Sequence, residues 1–249
     1  MNNPISPDFD WSSLYEKYDA TCKRFNPDAP SLFAFVSKPK NDRHLYYALM
    51  DRIAGERDTN GFIGLGTYEG ILYWKLYSQP AAIKNVSWRI RQDSKLQGAI
   101  QKTLENLGKR LPNTVSEDIE EIRHLYQLVE HYGQGLYGLS NSCALPARST
   151  LLHFLYPSTI PIFDKQVLLA VGVAEKDANK KYPILFDYIQ FAWDISKNSY
   201  IPRYWQETPL RLLDMALWVI RDKQKLLNKP FHRIGHESRP PVNFTFAEN

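Results

Sequence analysis

The chain has 249 residues, 43% hydrophobic and 23% charged, with a net charge of +4 and a mean hydropathy of −0.43. It is long enough to bury a real core, contains no apolar run approaching the ~20 residues that span a bilayer, and begins Met1-Asn-Asn-Pro, which does not read as a signal peptide. Its two cysteines, Cys22 and Cys143, exclude a four-cysteine iron–sulfur cluster and fit a reducing cytosol, so a cytoplasmic protein without metal or membrane attachment is expected.

In chain order, apolar residues at helical spacing predict amphipathic helices over 14–25, 44–54, 68–77, 96–107 and 116–132. Further helices are predicted over 149–155, 165–171, 182–196 and 209–227. Breakers fall at 27–30, 38–42, 60–66, 111–114, 133–142 and 198–202. A short strand is conceivable at 32–36, where alternation is weak, and residues 233–249 read as an irregular tail. Ser116, followed by Glu117, Asp118 and Glu120, has the composition of a helix start. The predicted class is mostly α.

Several chemistries are disfavoured by spacing. Gly61, Gly64, Gly66 and Gly70 do not form G-x-G-x-x-G and no Gly-Lys-Ser/Thr follows, so they read as a loop before a helix rather than a nucleotide cradle. The six histidines form no H-E-x-x-H, and His153, on an apolar helix, reads as a satisfied core residue. There is no G-x-S-x-G elbow, and Cys143 has no evident base. Short basic clusters such as Lys84, Arg89, Arg91 and Lys95, together with 15 Tyr and 6 Trp, suit a nucleic-acid partner, although such runs are commonly only solvated helix faces.

The most informative stretch is 146–172, PARSTLLHFLYPSTIPIFDKQVLLAVG. An apolar helix is stopped by Pro157, and Asp164 then stands where the next helix begins, in a loop that is otherwise apolar. Asp is among the best N-caps, worth ~1 kcal/mol, so capping alone accounts for it. A carboxylate fixed at a cleft is the other reading.

The order of parts resembles the helix-hairpin-helix DNA glycosylase superfamily over roughly residues 65–220. The run GILYWKLYSQPAAIKN (70–85) is similar to an early family helix, with Leu76, Tyr77, Ser78 and Gln79 matching. A hairpin at 139–147, the helix 148–156, the P-x-x-D loop Pro161-Ile162-Phe163-Asp164 and the helix 165–172 follow in the family's order, and TPLRLLDMALWVI (208–220) resembles a closing helix. The resemblance implies a two-lobed helical fold with a cleft between lobes, formed by a single domain over 1–249, with residues 1–60 as an N-terminal extension packed on the core.

It also implies a monomeric, cofactor-free and metal-free enzyme that binds double-stranded DNA, flips out a damaged or modified base and hydrolyses its N-glycosidic bond to leave an abasic site. The base could be a lesion, making the role repair, or a hypermodified phage base, making it antiviral defence. Asp164 would be the catalytic carboxylate, stabilising oxocarbenium charge and directing water. Gln79, Tyr77, Ser78, Asn141, Ser142, Arg148 and Lys165 would contact DNA, and Trp74, Tyr137 and Trp205 would line the base pocket. Tyr77 fits equally well in an apolar stripe with Tyr73 and Leu76.

Two departures bear on mechanism. The hairpin reads Ser140-Asn141-Ser142-Cys143-Ala144-Leu145-Pro146 in place of G-x-G. The position of the Schiff-base lysine of bifunctional members is Leu145, and no lysine occurs between Lys109 and Lys165, which implies water chemistry without lyase activity. The rival readings are a catalytically inactive DNA-binding module of the same fold and a protein-interaction domain in which Asp164 is only a cap.

Overall fold

The computed structural model describes residues 1–22, 25–26, 39–136, 145–178, 181–198, 200–203 and 206–227. Among these residues there is no strand. The elements are a short 3-10 turn (Trp11–Ser13), α1 (Leu14–Thr21), α2 (Asp42–Asn60), α3 (Leu65–Leu76), α4 (Pro80–Gln92), α5 (Ser94–Gly108) and α6 (Ile119–Tyr132). They continue with α7 (Leu145–Leu155), α8 (Lys165–Ala170), α9 (Glu175–Ala178), α10 (Lys181–Ser196) and α11 (Pro209–Leu227). The chain is mostly helical, as its periodicity predicts. No helix among the described residues is long and apolar enough to cross a membrane. The candidate strand at 32–36, the tail 233–249 and most of the hairpin (139–144) lie outside them.

Local chemistry explains where the helices depart from the periodic pattern. The second helix starts earlier and runs longer than 44–54, because the Asn41 side chain accepts the His44 N–H at 3.0 Å at its start. It stops at Gly61, which adopts φ 76° and donates its N–H to the Arg57 carbonyl, a left-handed cap suited to glycine. The unforeseen helix α4 begins at Pro80, which is tolerated at a first helical position, so the run 70–85 is two helices joined by a turn at 77–79. In the acidic start of α6, Asp118 rather than Ser116 is the cap, accepting from Glu120 N–H at 2.8 Å. Ser116 instead donates its N–H and hydroxyl to Glu121. Helix α7 starts at Leu145, with Pro146 in its first turn, so the last residues assigned to the hairpin are already helical.

The two most enclosed helices are α7, buried continuously from Arg148 to Phe154, and α11, buried from Leu210 to Leu217. A helix apolar on every side must be wrapped by others. Accordingly α11 packs against α1, α8 and α10, while α3 packs against α2, α4, α5 and α7. Within the buried stretch 210–217 of α11 lies one cation, Arg211, 1% exposed. Its guanidinium donates to Asp214, to the Tyr18 hydroxyl at 3.0 Å and to Asp42 Oδ1 at 3.1 Å, and Tyr18 donates to the same Asp42 oxygen at 2.9 Å. The rings of Tyr18, Tyr46 and Trp74 surround it at 4.8–5.0 Å. One buried cation thus ties α1, α2, α3 and α11 together.

One cation faces two buried carboxylates, so the cluster favours holding a proton. Burial is the main cause raising the carboxyl of Asp42, and it pushes that of Asp214 up from 3.8 to about 7 against the pull of Arg211. A carboxyl with a native pKa above its unfolded value stabilises the fold fully below 3.8, and that contribution is lost as pH rises through about 7. Asp214→Asn should therefore flatten the decline of melting temperature with pH across that window; an unchanged slope would assign the decline to other groups. Arg211→Leu strands both carboxylates and should cost about 3–5 kcal/mol in urea unfolding.

Candidate active site around Asp164

A cavity of about 640 Å³ opens where α1, α2, α3, α7, α8 and α11 converge. That volume falls within the ~300–1,000 Å³ typical of ligand clefts. Tyr18, Asp42 and Trp74, all nearly inaccessible, form its buried wall, while the turn residues Ser78 and Gln79 lie nearer the surface. Trp218 and Asp222, one helical turn apart on α11, add another side. The outer end of the Arg211 cluster is therefore the inner wall of the cavity.

Asp164 lines this space and is also the N-cap of α8. Its Oδ1 accepts the backbone N–H groups of Gln166 at 2.7 Å and Val167 at 3.1 Å. The preceding segment is locked as well: Ser149 donates its hydroxyl to the Pro161 carbonyl at 3.1 Å and accepts the Phe163 N–H at 2.6 Å. Two backbone donors fix one carboxylate oxygen, so the other has a defined place. That second oxygen, Oδ2, accepts from Lys75 Nζ at 3.3 Å.

Lys75 comes from α3, 89 residues earlier, and both side chains are only 14% exposed. This amine lies on α3 and not in the hairpin, where the family resemblance would put one. A signal was present: Lys75 is the only charged residue in the apolar run 70–79. It is the same anomaly that made Asp164 conspicuous, and the fold sets the two charges side by side.

The remaining expected site residues divide three ways. Trp74, Tyr77, Ser78, Gln79 and Lys165 all line the cavity with Asp164. Arg148 does not: it is 5% exposed and turned into the core, with Glu130 at 3.3 Å, which corrects its expected place against phosphate. Arginine has a long enough stem to reach either way from the first turn of α7, and here it is buried, with the half-exposed Glu130 of α6 as one partner. Asn141, Ser142, Tyr137 and Trp205 lie outside the described residues.

The cavity wall is not basic. Its charged residues are Asp42, Asp164 and Asp222 against Lys75 and Lys165. Other titratable groups are held neutral. Burial pushes the Cys22 thiol up to about 11 and raises the Tyr77 phenol, with the Asp42 charge as a second cause. His153 is buried and pushed down to about 3, chiefly by desolvation. Its Nδ1 faces the Ile160 carbonyl at 2.7 Å and so must carry the proton, leaving Nε2 to accept the Tyr46 hydroxyl at 2.9 Å. It is the satisfied core histidine its surroundings predict. Among the described residues, no cluster of three or more His, Cys, Asp or Glu could hold a metal.

No family model, curated protein or solved structure matches the chain.

Capping and charge can be separated at Asp164. Asn caps as well as Asp, so Asp164→Asn should leave the melting temperature nearly unchanged, whereas Asp164→Ala should lose about 1 kcal/mol. A large loss in the Asn variant would show that the ion pair with Lys75 holds the fold.

Proposed function

We propose that this cavity is the active site of a monofunctional DNA glycosylase, which hydrolyses the N-glycosidic bond of a damaged or modified base flipped out of double-stranded DNA. The observation that carries the reading is the state of Asp164: one oxygen fixed by two backbone N–H groups, the other beside Lys75, in a cavity of about 640 Å³ walled by Trp74, Tyr77 and Trp218. Breaking an N-glycosidic bond builds positive charge on the sugar, and a carboxylate already held in place stabilises it without reorganising. The same oxygen takes a proton from attacking water. The aromatic wall offers faces for a planar base.

Gln79 and Ser78, in the turn between α3 and α4 and at the side of the cavity, suit the task of filling the gap left by an extruded nucleotide. Since the cavity wall carries more acids than bases, phosphate binding falls to the surface beyond it. Helix α4 leads away from Gln79 and bears Arg89 and Arg91, with Lys95 at the start of α5, all three exposed. The reading brings with it a divergent, two-lobed helix-hairpin-helix arrangement with the cleft at Asp164.

The second reading, an inactive DNA-binding module, draws on the fact that Asp164 does cap α8. Incubation with duplexes carrying a panel of lesions and enlarged bases, followed by alkali, separates the two. Alkali-dependent nicking is expected on at least one substrate, with Asp164→Asn slower by about 10²–10³-fold. Equal nicking by that variant would remove Asp164 from the chemistry. DNA affinity should fall with salt, and Arg89→Ala and Arg91→Ala should each reduce the log–log slope by about one. A salt-independent affinity would leave only a protein-interaction role.

A further inference from the structure

A glycosylase that uses water must also discharge its leaving group. The departing base carries the electron pair of the broken C–N bond and needs a proton or a cation. Most candidates near Asp164 are spoken for. The Asp42 carboxylate is 1% exposed and bound by Tyr18 and Arg211. His153 has both ring nitrogens engaged in the core. The Cys22 thiol and the Tyr77 phenol are held protonated by burial and are weak acids. Lys75 differs: its ammonium lies on the cavity wall, 3.3 Å from Asp164 Oδ2, the oxygen that the glycosidic reading turns toward the reacting carbon.

We infer that Lys75 is a catalytic general acid, which protonates the departing base while Asp164 receives the proton of the attacking water. This rests on the glycosidic reading of the site. The C1′–N bond breaks and its electron pair goes to the base nitrogen, which takes a proton from Lys75 Nζ. A water oxygen bonds to C1′ and gives one proton to Asp164 Oδ2. Turnover thus leaves a neutral carboxylic acid beside a neutral amine. At 3.3 Å the proton passes directly from Oδ2 to Nζ and restores the ion pair, with nothing consumed but water. The contact is the return path of the catalytic cycle. The lysine is no nucleophile here, since no covalent step is needed.

The test varies the leaving group. Single-turnover rates are measured on a base that the wild type releases, and on its ring-halogenated and ring-methylated forms, which are more and less acidic leaving groups. Lys75→Met should slow the methylated base by about 10²–10⁴-fold, the range of general acid catalysis, and the halogenated base by less than about tenfold. Lys75→Arg keeps the charge but is a far weaker acid, so it should recover the halogenated substrate and not the methylated one. DNA affinity of each variant is measured in parallel and should stay within about threefold of wild type. An equal slowing of every substrate means that Lys75 only positions Asp164 and overturns the assignment. A covalent DNA adduct trapped by borohydride, and lost in Lys75→Met, makes the lysine a nucleophile and overturns it too. Release of no base by the wild type defeats the glycosylase reading itself, and this proposal with it.

Discussion

The molecule is organised by a buried arginine. Arg211 sits in the buried half of α11, and its charge is tolerable only because Asp42, Asp214, the Tyr18 hydroxyl and three aromatic faces converge on it. Leaving such a cation unpaired costs several kcal/mol, so the arrangement is all or nothing. Satisfying it requires α1, α2, α3 and α11 to meet at one point. That meeting leaves a cavity whose buried wall is the outer side of the cluster, with Asp42 and Trp74 belonging to both.

The cluster also sets the electrostatics of the site. Asp214 feels Asp164 and Lys75 with opposite signs, and its own raised carboxyl keeps negative charge from accumulating behind the cavity. Asp164 is then held from two sides. Backbone amides of α8 fix one oxygen, and a lysine from α3 meets the other. Capping and reactivity are not competing explanations for such a group. The cap supplies the rigidity that a carboxylate needs in order to act on a developing charge rather than follow it.

Much of this was legible residue by residue. Helical periodicity located most elements, and Asp164 stood out as the one charge in an apolar loop. Gly61 and Gly64 do lead into a helix, and His153 is the satisfied core residue its surroundings predict. What the sequence hid were pairings across distance: Lys75 with Asp164 over 89 positions, and Arg211 with Asp42 over 169. Periodicity describes one helix at a time and carries no record of which helices meet. The burial of Arg148 is hidden for a related reason, because its partner Glu130 lies on another helix. Helix α4 has no counterpart among the predicted elements, although Pro80 suits a first helical position. A lone cation in the apolar run 70–79 was visible from the outset, and two isolated charges in apolar surroundings are a reason to ask whether they are partners.

In the proposed reaction Asp164 is the residue nearest the reacting carbon. A crystal structure with a duplex whose modified nucleotide carries 2′-fluorine, which slows loss of the base, tests this directly. The base should lie in the cavity against Trp74, with C1′ about 3–3.5 Å from Asp164 Oδ2, the separation of a near-attack geometry. DNA bound on another face, with nothing extruded into the cavity, would contradict it.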